Sequence, residues 1–231
     1  MMKRNVETIV SIDTEELRQA YLRDLLAAQR TSAHELIMDA FHKGYPIPDI
    51  YMDVFQASLY EIGHLWESNR ISVADEHLST IITQFIMSDL YQHLEIAEAR
   101  QGKLVMTGVQ GELHQVGANM VSDVLEADGW DVMFLGADVP PDEVIRAIRV
   151  HGANLLGVSV TMYDNIPKLI QLVDMVRREF GEQAPRVMVG GGAFAMNPEL
   201  PPELAGCLVA RNLREALELT RRQYLQRSQQ P

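Results

Sequence analysis

The spacing of hydrophobic positions changes near residue 100. Before that point it is helical. Leu17, Tyr21, Leu22, Leu25 and Leu26 form one stripe behind Asp13-Thr14, which predicts a capped helix running to about Arg30. Thr31 or Ser32 restarts the chain, Ser32 with Glu35 has the form of a capping box, and Gly44 closes that short helix. A third helix is expected from about Pro48 to Ser68. A fourth, from Ser72 to about Ala99, keeps Leu78, Ile81, Ile82, Phe85, Ile86 and Leu90 at helical spacing. Short connections make such neighbours antiparallel, so residues 1–100 predict a four-helix bundle.

From Lys103 onward the apolar residues come in short runs: Leu104-Val105-Met106, Val132 to Leu135, Leu155 to Val158, Val187 to Val189, and Leu208-Val209. Amphipathic stretches starting near Gln115, Pro141, Asn165, Pro198 and Asn212 separate or follow them. Apolar strands alternating with helices mean a parallel sheet covered on both faces. Five strands predict a flavodoxin-like, doubly wound domain over residues 101–231, with the boundary at Arg100-Gln101-Gly102.

The second half is organised around Lys103 to Gly117, KLVMTGVQGELHQVG, which reads as strand, glycine-bearing loop and helix start. In a parallel sheet that loop lies at the carboxyl edge, where ligands bind, so His114 is a candidate metal ligand. Glu112 stands two residues away, and a carboxylate on the second ring nitrogen would fix the imidazole tautomer. Ser159 and Thr161 close the third strand, and Gly190, Gly191 and Gly192 follow the fourth. These strand ends share one rim and predict a slot lined by small residues and hydroxyls. No G-x-G-x-x-G follows the first strand and no G-x-x-x-x-G-K-[ST] occurs, so neither nucleotide fingerprint applies.

Composition narrows the partners. The formal charge of −12 argues against direct contact with nucleic acid, whose phosphates need a basic face. No apolar run is long enough to span a membrane and the start lacks a signal-peptide pattern, so a cytoplasmic location is expected. The single cysteine, Cys207, sits in an apolar run and excludes both an intrachain disulfide and a Cys-based zinc site.

Glu112-x-His114-x-x-Gly117, then Ser159-x-Thr161, then Gly190-Gly191, resembles the cobalamin-binding signature of methionine synthase, corrinoid proteins and cobalamin-dependent mutases. The resemblance implies that the slot holds the dimethylbenzimidazole tail and that His114 replaces it as lower cobalt ligand. It also implies that the helical bundle covers the upper face. Leu113 and Gln115 flank the ligand, while Leu135, Gly136 and Val139 resemble the family's loop at the corrin edge. The motif's usual aspartate is Glu112 here. Trp66 with Glu76 and His77, in a W-x9-E-H spacing, resembles the upper-face pocket of the CarH-type adenosylcobalamin photoreceptors. That likeness implies a light sensor preferring adenosylcobalamin, with output through homo-oligomerisation or a protein signalling partner. A bilin is a further chromophore found in some such sensors, although no bilin motif is assigned. The chain departs from those photoreceptors in two respects. Neither its length nor its charge suits a MerR-like DNA-binding domain. Glu67 follows the Trp where they carry a cobalt-binding His, with His64 or His77 as candidate substitutes.

Two other readings compete. A corrinoid methyl carrier of a methyltransferase system would share the bundle and the slot without needing an adenosyl pocket. An enzyme unrelated to cobalamin on a flavodoxin-like fold would need a nucleophile–base pair or carboxylate dyad, and none is evident in the sequence.

Overall fold

A computed structural model describes residues 13–97, 101–196 and 199–227. The chain divides into two compact units, Met1–His93 and Leu94–Pro231. The expected helix end at Ala99, the residue Arg100 of the expected boundary, and the helix start near Pro198 lie outside the described residues.

The first unit is helical. α1 (Thr14–Leu26) is capped by Asp13, whose carboxylate accepts from the Glu15 and Glu16 N–H groups. α2 (Arg30–His42) follows. α3 spans 47–67 and contains a π-helical stretch, Ile50–Gln56, between the α-helical segments Ile47–Asp49 and Ala57–Glu67. α4 runs from Val73 to Tyr91. Their common core includes Tyr21, Ile37, Tyr51, Phe55, Ile62, Ile86 and Leu90. Two linked polar bonds lie inside it: Tyr21 OH and Thr83 Oγ1 stand 2.9 Å apart, and Thr83 also donates to the Ser79 carbonyl. Burial pushes the Tyr21 phenol well above its ordinary range, against a smaller opposing effect of the Thr83 bond.

Three local expectations are corrected. No side-chain cap precedes α2; the Ser32 hydroxyl donates to Asp24 instead. The capping box is at Ser72 and Asp75, where the Ser72 hydroxyl accepts from Asp75 N at 3.3 Å and Asp75 accepts from Ser72 N at 2.8 Å. α4 ends at Tyr91, short of the expected Ala99. Its buried side is Ser79, Ile82, Thr83, Ile86, Met87 and Leu90, so Leu78, Ile81 and Phe85 are exposed, as is Leu26 at the end of α1. The helix is apolar on more than one side, and periodicity names a buried face only when the opposite side is polar.

The second unit is a doubly wound α/β layer. Its strands are β1 (Gly102–Gly108), β2 (Trp130–Phe134), β3 (Leu155–Ser159), β4 (Arg186–Gly190) and β5 (Leu208–Ala210). All pair in parallel, in the order β2-β1-β3-β4-β5, the flavodoxin-like order expected from the sequence. The helices are α5 (Val116–Ala127), α6 (Pro141–His151), α7 (Ile166–Phe180), the short α8 (Gly192–Met196) and α9 (Leu213–Arg227). Strand pleating divides the core. Leu104 and Met106 of β1 pack on one face with Ala118 and Leu125 of α5 and Ala216 of α9. Val105 packs on the other with Val144 and Ile148 of α6 and Leu169 and Val173 of α7. The order reverses between β1 and β3, so the loops leaving these two strands diverge to opposite faces and open a crevice at their carboxyl ends.

The two serines give a paired test. Ser72→Ala should lower the stability of the helical unit by about 1 kcal/mol because it removes a reciprocal cap. Ser32→Ala should change it by less than about 0.5 kcal/mol, the ordinary range for an exposed surface site. Chemical denaturation followed by circular dichroism checks both.

Candidate functional site

The crevice is built around one buried carboxylate. Glu112 lies in the loop after β1 and is fully buried, whereas the neighbouring His114 side chain is 49% exposed. His114 Nδ1 is 2.5 Å from Glu112 Oε1, which also accepts the His114 N–H at 3.2 Å. The other oxygen, Oε2, accepts from three groups beyond β3: the N–H groups of Thr161 at 3.0 Å and Met162 at 3.1 Å, and the Asn165 amide at 3.1 Å. Burial by itself pushes the carboxyl up. The bonds from the His114 ring, Met162, Asn165 and the His114 backbone outweigh it and hold the group down at about 2. Glu112 is therefore an anion at neutral pH and can only accept, so Nδ1 must carry the proton. That leaves the lone pair on Nε2, the tautomer a metal ligand requires.

The same loop is tied to the loop after β2. Asp138 N donates to the Glu112 carbonyl at 2.9 Å, Asp138 Oδ1 accepts from Gly111 N at 2.6 Å, and Gly108 N donates to the Gly136 carbonyl at 2.8 Å. Val139 forms an isolated parallel bridge with Val109, and Leu135 N donates to the Met106 carbonyl. Gln115 precedes α5, and Gly117 in its first turn faces open space. Around His114 the rim is apolar and exposed: Leu113 is 75% exposed and Met162 50%.

The expected residues fall into three groups. Glu112, Leu113, His114, Gln115, Leu135, Gly136 and Val139 belong to loops joined by these bonds, and Gly117 to the first turn of α5. Ser159 ends β3 beside Gly108 and Gly190, while Thr161 is held by Glu112 and packs against Gly192. Trp66, Glu76 and His77 belong to the helical unit. Trp66 is in the last turn of α3 and is 44% exposed; Glu76 and His77 are in the first turn of α4, with His77 Nδ1 2.5 Å from Glu76 Oε2.

The glycines after β4 need a different explanation from the one their smallness suggested. A Cβ on Gly190 would stand 2.6 Å from the Ala210 carbonyl oxygen, and one on Gly191 2.5 Å from that of Val160. Gly191 also has φ +99°, which a side chain disfavours. Neighbouring backbone fills the space at both positions, so they are glycine because strand ends approach closely there. Sequence reasoning also missed Asn165, read only as a helix start. It stands at the N-terminus of α7 without capping it, and its amide goes to Glu112 instead.

No group of three or more His, Cys, Asp or Glu side chains that could hold a bare metal ion occurs among the described residues. A single oriented imidazole under an apolar rim instead fits a metal that brings its remaining ligands in a flat macrocycle. Fold and site together define a parallel α/β protein whose crevice carries one oriented, half-exposed histidine over a buried carboxylate. Residues 102–218, just over half the chain, match the B12 binding domain model, and residues 17–91 match a second model of that description. The chain belongs to the B12-binding domain family and binds cobalamin.

Among its relatives, dimethylamine corrinoid protein 3 of Methanosarcina acetivorans is 24% identical over 181 residues, 75% of this chain and 83% of that protein. A corrinoid protein of Desulfitobacterium hafniense is 22% identical over 185 residues, 77% of this chain and 82% of its own length. The solved monomethylamine corrinoid protein of Methanosarcina barkeri has the same fold, with a TM-score of 0.77, 22% identity, and coverage of 89% of this chain and 97% of that one. These relatives overturn the light-sensor expectation. Both curated relatives are corrinoid proteins, one of them named for dimethylamine, and they favour the competing methyl-carrier reading of the same cofactor site. The CarH likeness rested on Trp66, Glu76 and His77, residue types that helix ends carry for ordinary structural reasons. No helix among the described residues is long and apolar enough to cross a membrane.

Two substitutions test this geometry. Glu112→Ala strands the Thr161 and Met162 N–H groups and the Asn165 amide, and should cost the second unit about 3 kcal/mol in denaturation of the cofactor-free protein. Gly191→Ala should cost about 2 kcal/mol or more with no ligand present, because its Cβ meets backbone; unchanged stability would return Gly191 to an open slot.

Proposed function

We propose that the chain is a corrinoid methyl carrier, holding cobalamin through His114 and presenting it to methyltransferase partners. The observation that carries this reading is the alignment with dimethylamine corrinoid protein 3 across three-quarters of this chain. A protein partner also suits a net charge of −12 better than nucleic acid does.

Bound cobalamin would supply a cobalt centre able to accept and release a methyl group. His114 Nε2 would ligate the cobalt. Glu112 keeps the Nδ1 proton in place and the ring oriented, and its negative charge strengthens the imidazole as a donor. When Nε2 is not engaged with the metal it can hold a proton, and the resulting imidazolium is balanced by the anion 2.5 Å away. The exposed Leu113 and Met162 would help hold the macrocycle by apolar contact. Ser159, Thr161 and Gly192 would border the nucleotide tail. The adenosylcobalamin preference and the bilin belong to the light-sensor reading, and a methyl carrier needs neither.

The test is transfer itself. Loaded with methylcobalamin and given a thiol plus a cobalamin-dependent thiol methyltransferase, the protein should yield the methylated thiol. His114→Ala should lower cobalamin retention by roughly ten- to a hundredfold and alter the visible spectrum. Inert methylcobalamin, together with an adenosyl form that changes hydrodynamic size under green light, would overturn the carrier reading.

A further inference from the structure

The outward side of α4 is apolar where a surface helix is ordinarily polar. Opposite the buried Ile82, Ile86 and Leu90 runs a second row, Ala74, Leu78, Ile81, Phe85 and Ser88, and all five residues are exposed. Ile81 is 59% exposed and Phe85 49%. Successive members of the row alternate between steps of four and three residues, the spacing that keeps one seam of a helix turned toward another helix. α1, α2 and α3 all pack on α4, and none of them covers this seam. Charge is unevenly placed along it. Toward the carboxyl end the Arg30 guanidinium of α2 lies over the Phe85 ring at 5.2 Å, and beside it His34 Nε2 is 2.8 Å from Asp89 Oδ2. Toward the amino end stands Asp75, about four turns from Asp89 on the same side of the helix. Bonds from the Ser72 hydroxyl and N–H hold the Asp75 carboxyl below its usual range, so it is an anion.

We propose that this seam is the interface of a two-fold symmetric dimer, filled by α4 of a second copy of the chain running antiparallel. An axis beside Ile81 sets that residue against its own counterpart, Leu78 against the partner's Phe85, and Ala74 against the partner's Ser88. Large side chains meet at the centre and small ones at the ends, so the row is its own complement, as an isologous interface requires. Charge selects the direction. Parallel pairing would lay Asp75 beside the partner's Asp75 and Arg30 beside the partner's Arg30. Antiparallel pairing instead brings Arg30 toward the partner's Asp75 at both ends of the seam and opposes the two helix dipoles. Asp89 lies nearby but is matched within its own unit by His34. Copies carrying a charge of −12 repel one another, and a single helical seam is small, which places the pair among weak, reversible complexes. The pairing needs neither cofactor nor light. None of its residues is among those proposed to hold cobalamin, so it stands or falls independently of the carrier reading.

Sedimentation of the whole cofactor-free chain over a concentration series tests the proposal. The wild type should pass from monomer to dimer with a Kd of roughly 10–100 μM. Ile81→Glu changes an exposed position, so it should keep the circular dichroism and thermal midpoint of the wild type while raising Kd by at least about thirtyfold, as loss of a central anchor does. Arg30→Glu should raise Kd by about three- to tenfold, and Arg30→Lys by less. Val150→Glu, at a 75% exposed apolar position on α6, should leave it unchanged. The two-fold register is read by crosslinking: in a Cys207→Ser background, Ile81→Cys should oxidise to a disulfide-linked dimer faster than Val150→Cys. A wild type that stays monomeric throughout that range overturns the proposal. A dimer that Ile81→Glu leaves intact, or that Val150→Glu disrupts as strongly, places the interface elsewhere and overturns it as well.

Discussion

A buried anion is among the most expensive things a fold can contain, and Glu112 is tolerated because five donors converge on its two oxygens. Supplying them requires three chain segments to meet: the loop after β1, the backbone just beyond β3, and the residue that precedes α7. The loop after β2 is then fixed through Gly111, Asp138 and the Glu112 carbonyl. The carboxylate therefore organises the crevice before any cofactor arrives. Backbone peculiarities nearby follow from the same demand: Gly111 and Gly136 have positive φ, and so does the non-glycine Asp138, whose side chain repays the strain by accepting from Gly111 N.

Much of this architecture is legible in the sequence because strands buried on both faces announce themselves. The five apolar runs correspond to the five strands, and the sheet order follows from alternation with helices. Glu112 and His114 are legible as a pair because the contact spans only two residues. Asn165 is not, because its partner lies 53 residues away and nothing local marks it except an uncapped helix start. The glycines were visible as residues but not as causes. Smallness in a sequence does not say whether ligand or backbone will fill the space, and at Gly190 and Gly191 the answer is backbone.

The helical unit shows the converse problem. Trp66, Glu76 and His77 do come to one end of an α3–α4 hairpin, as helical geometry requires, but being placed together does not assign a task. Glu76 already faces His77 and accepts from the Thr80 hydroxyl at 3.3 Å, and an acidic residue in a first turn is favoured by the helix dipole in any protein. A spacing that ordinary helix chemistry can produce distinguishes weakly between branches of one cofactor family. The Glu112–His114 signature distinguishes the family itself, because no common structural motif requires a buried glutamate beside an exposed histidine.

That contrast bears on how such a site can serve different chemistries. If the histidine were held only by the metal, each loss of the ligand would release the loop and leave the carboxylate short of a donor. Here Nδ1 is anchored independently of Nε2, and Oε2 keeps its bonds from Thr161, Met162 and Asn165 whichever state the ring is in. The buried anion is met entirely from within the protein, so the shape of the rim does not depend on what Nε2 contacts.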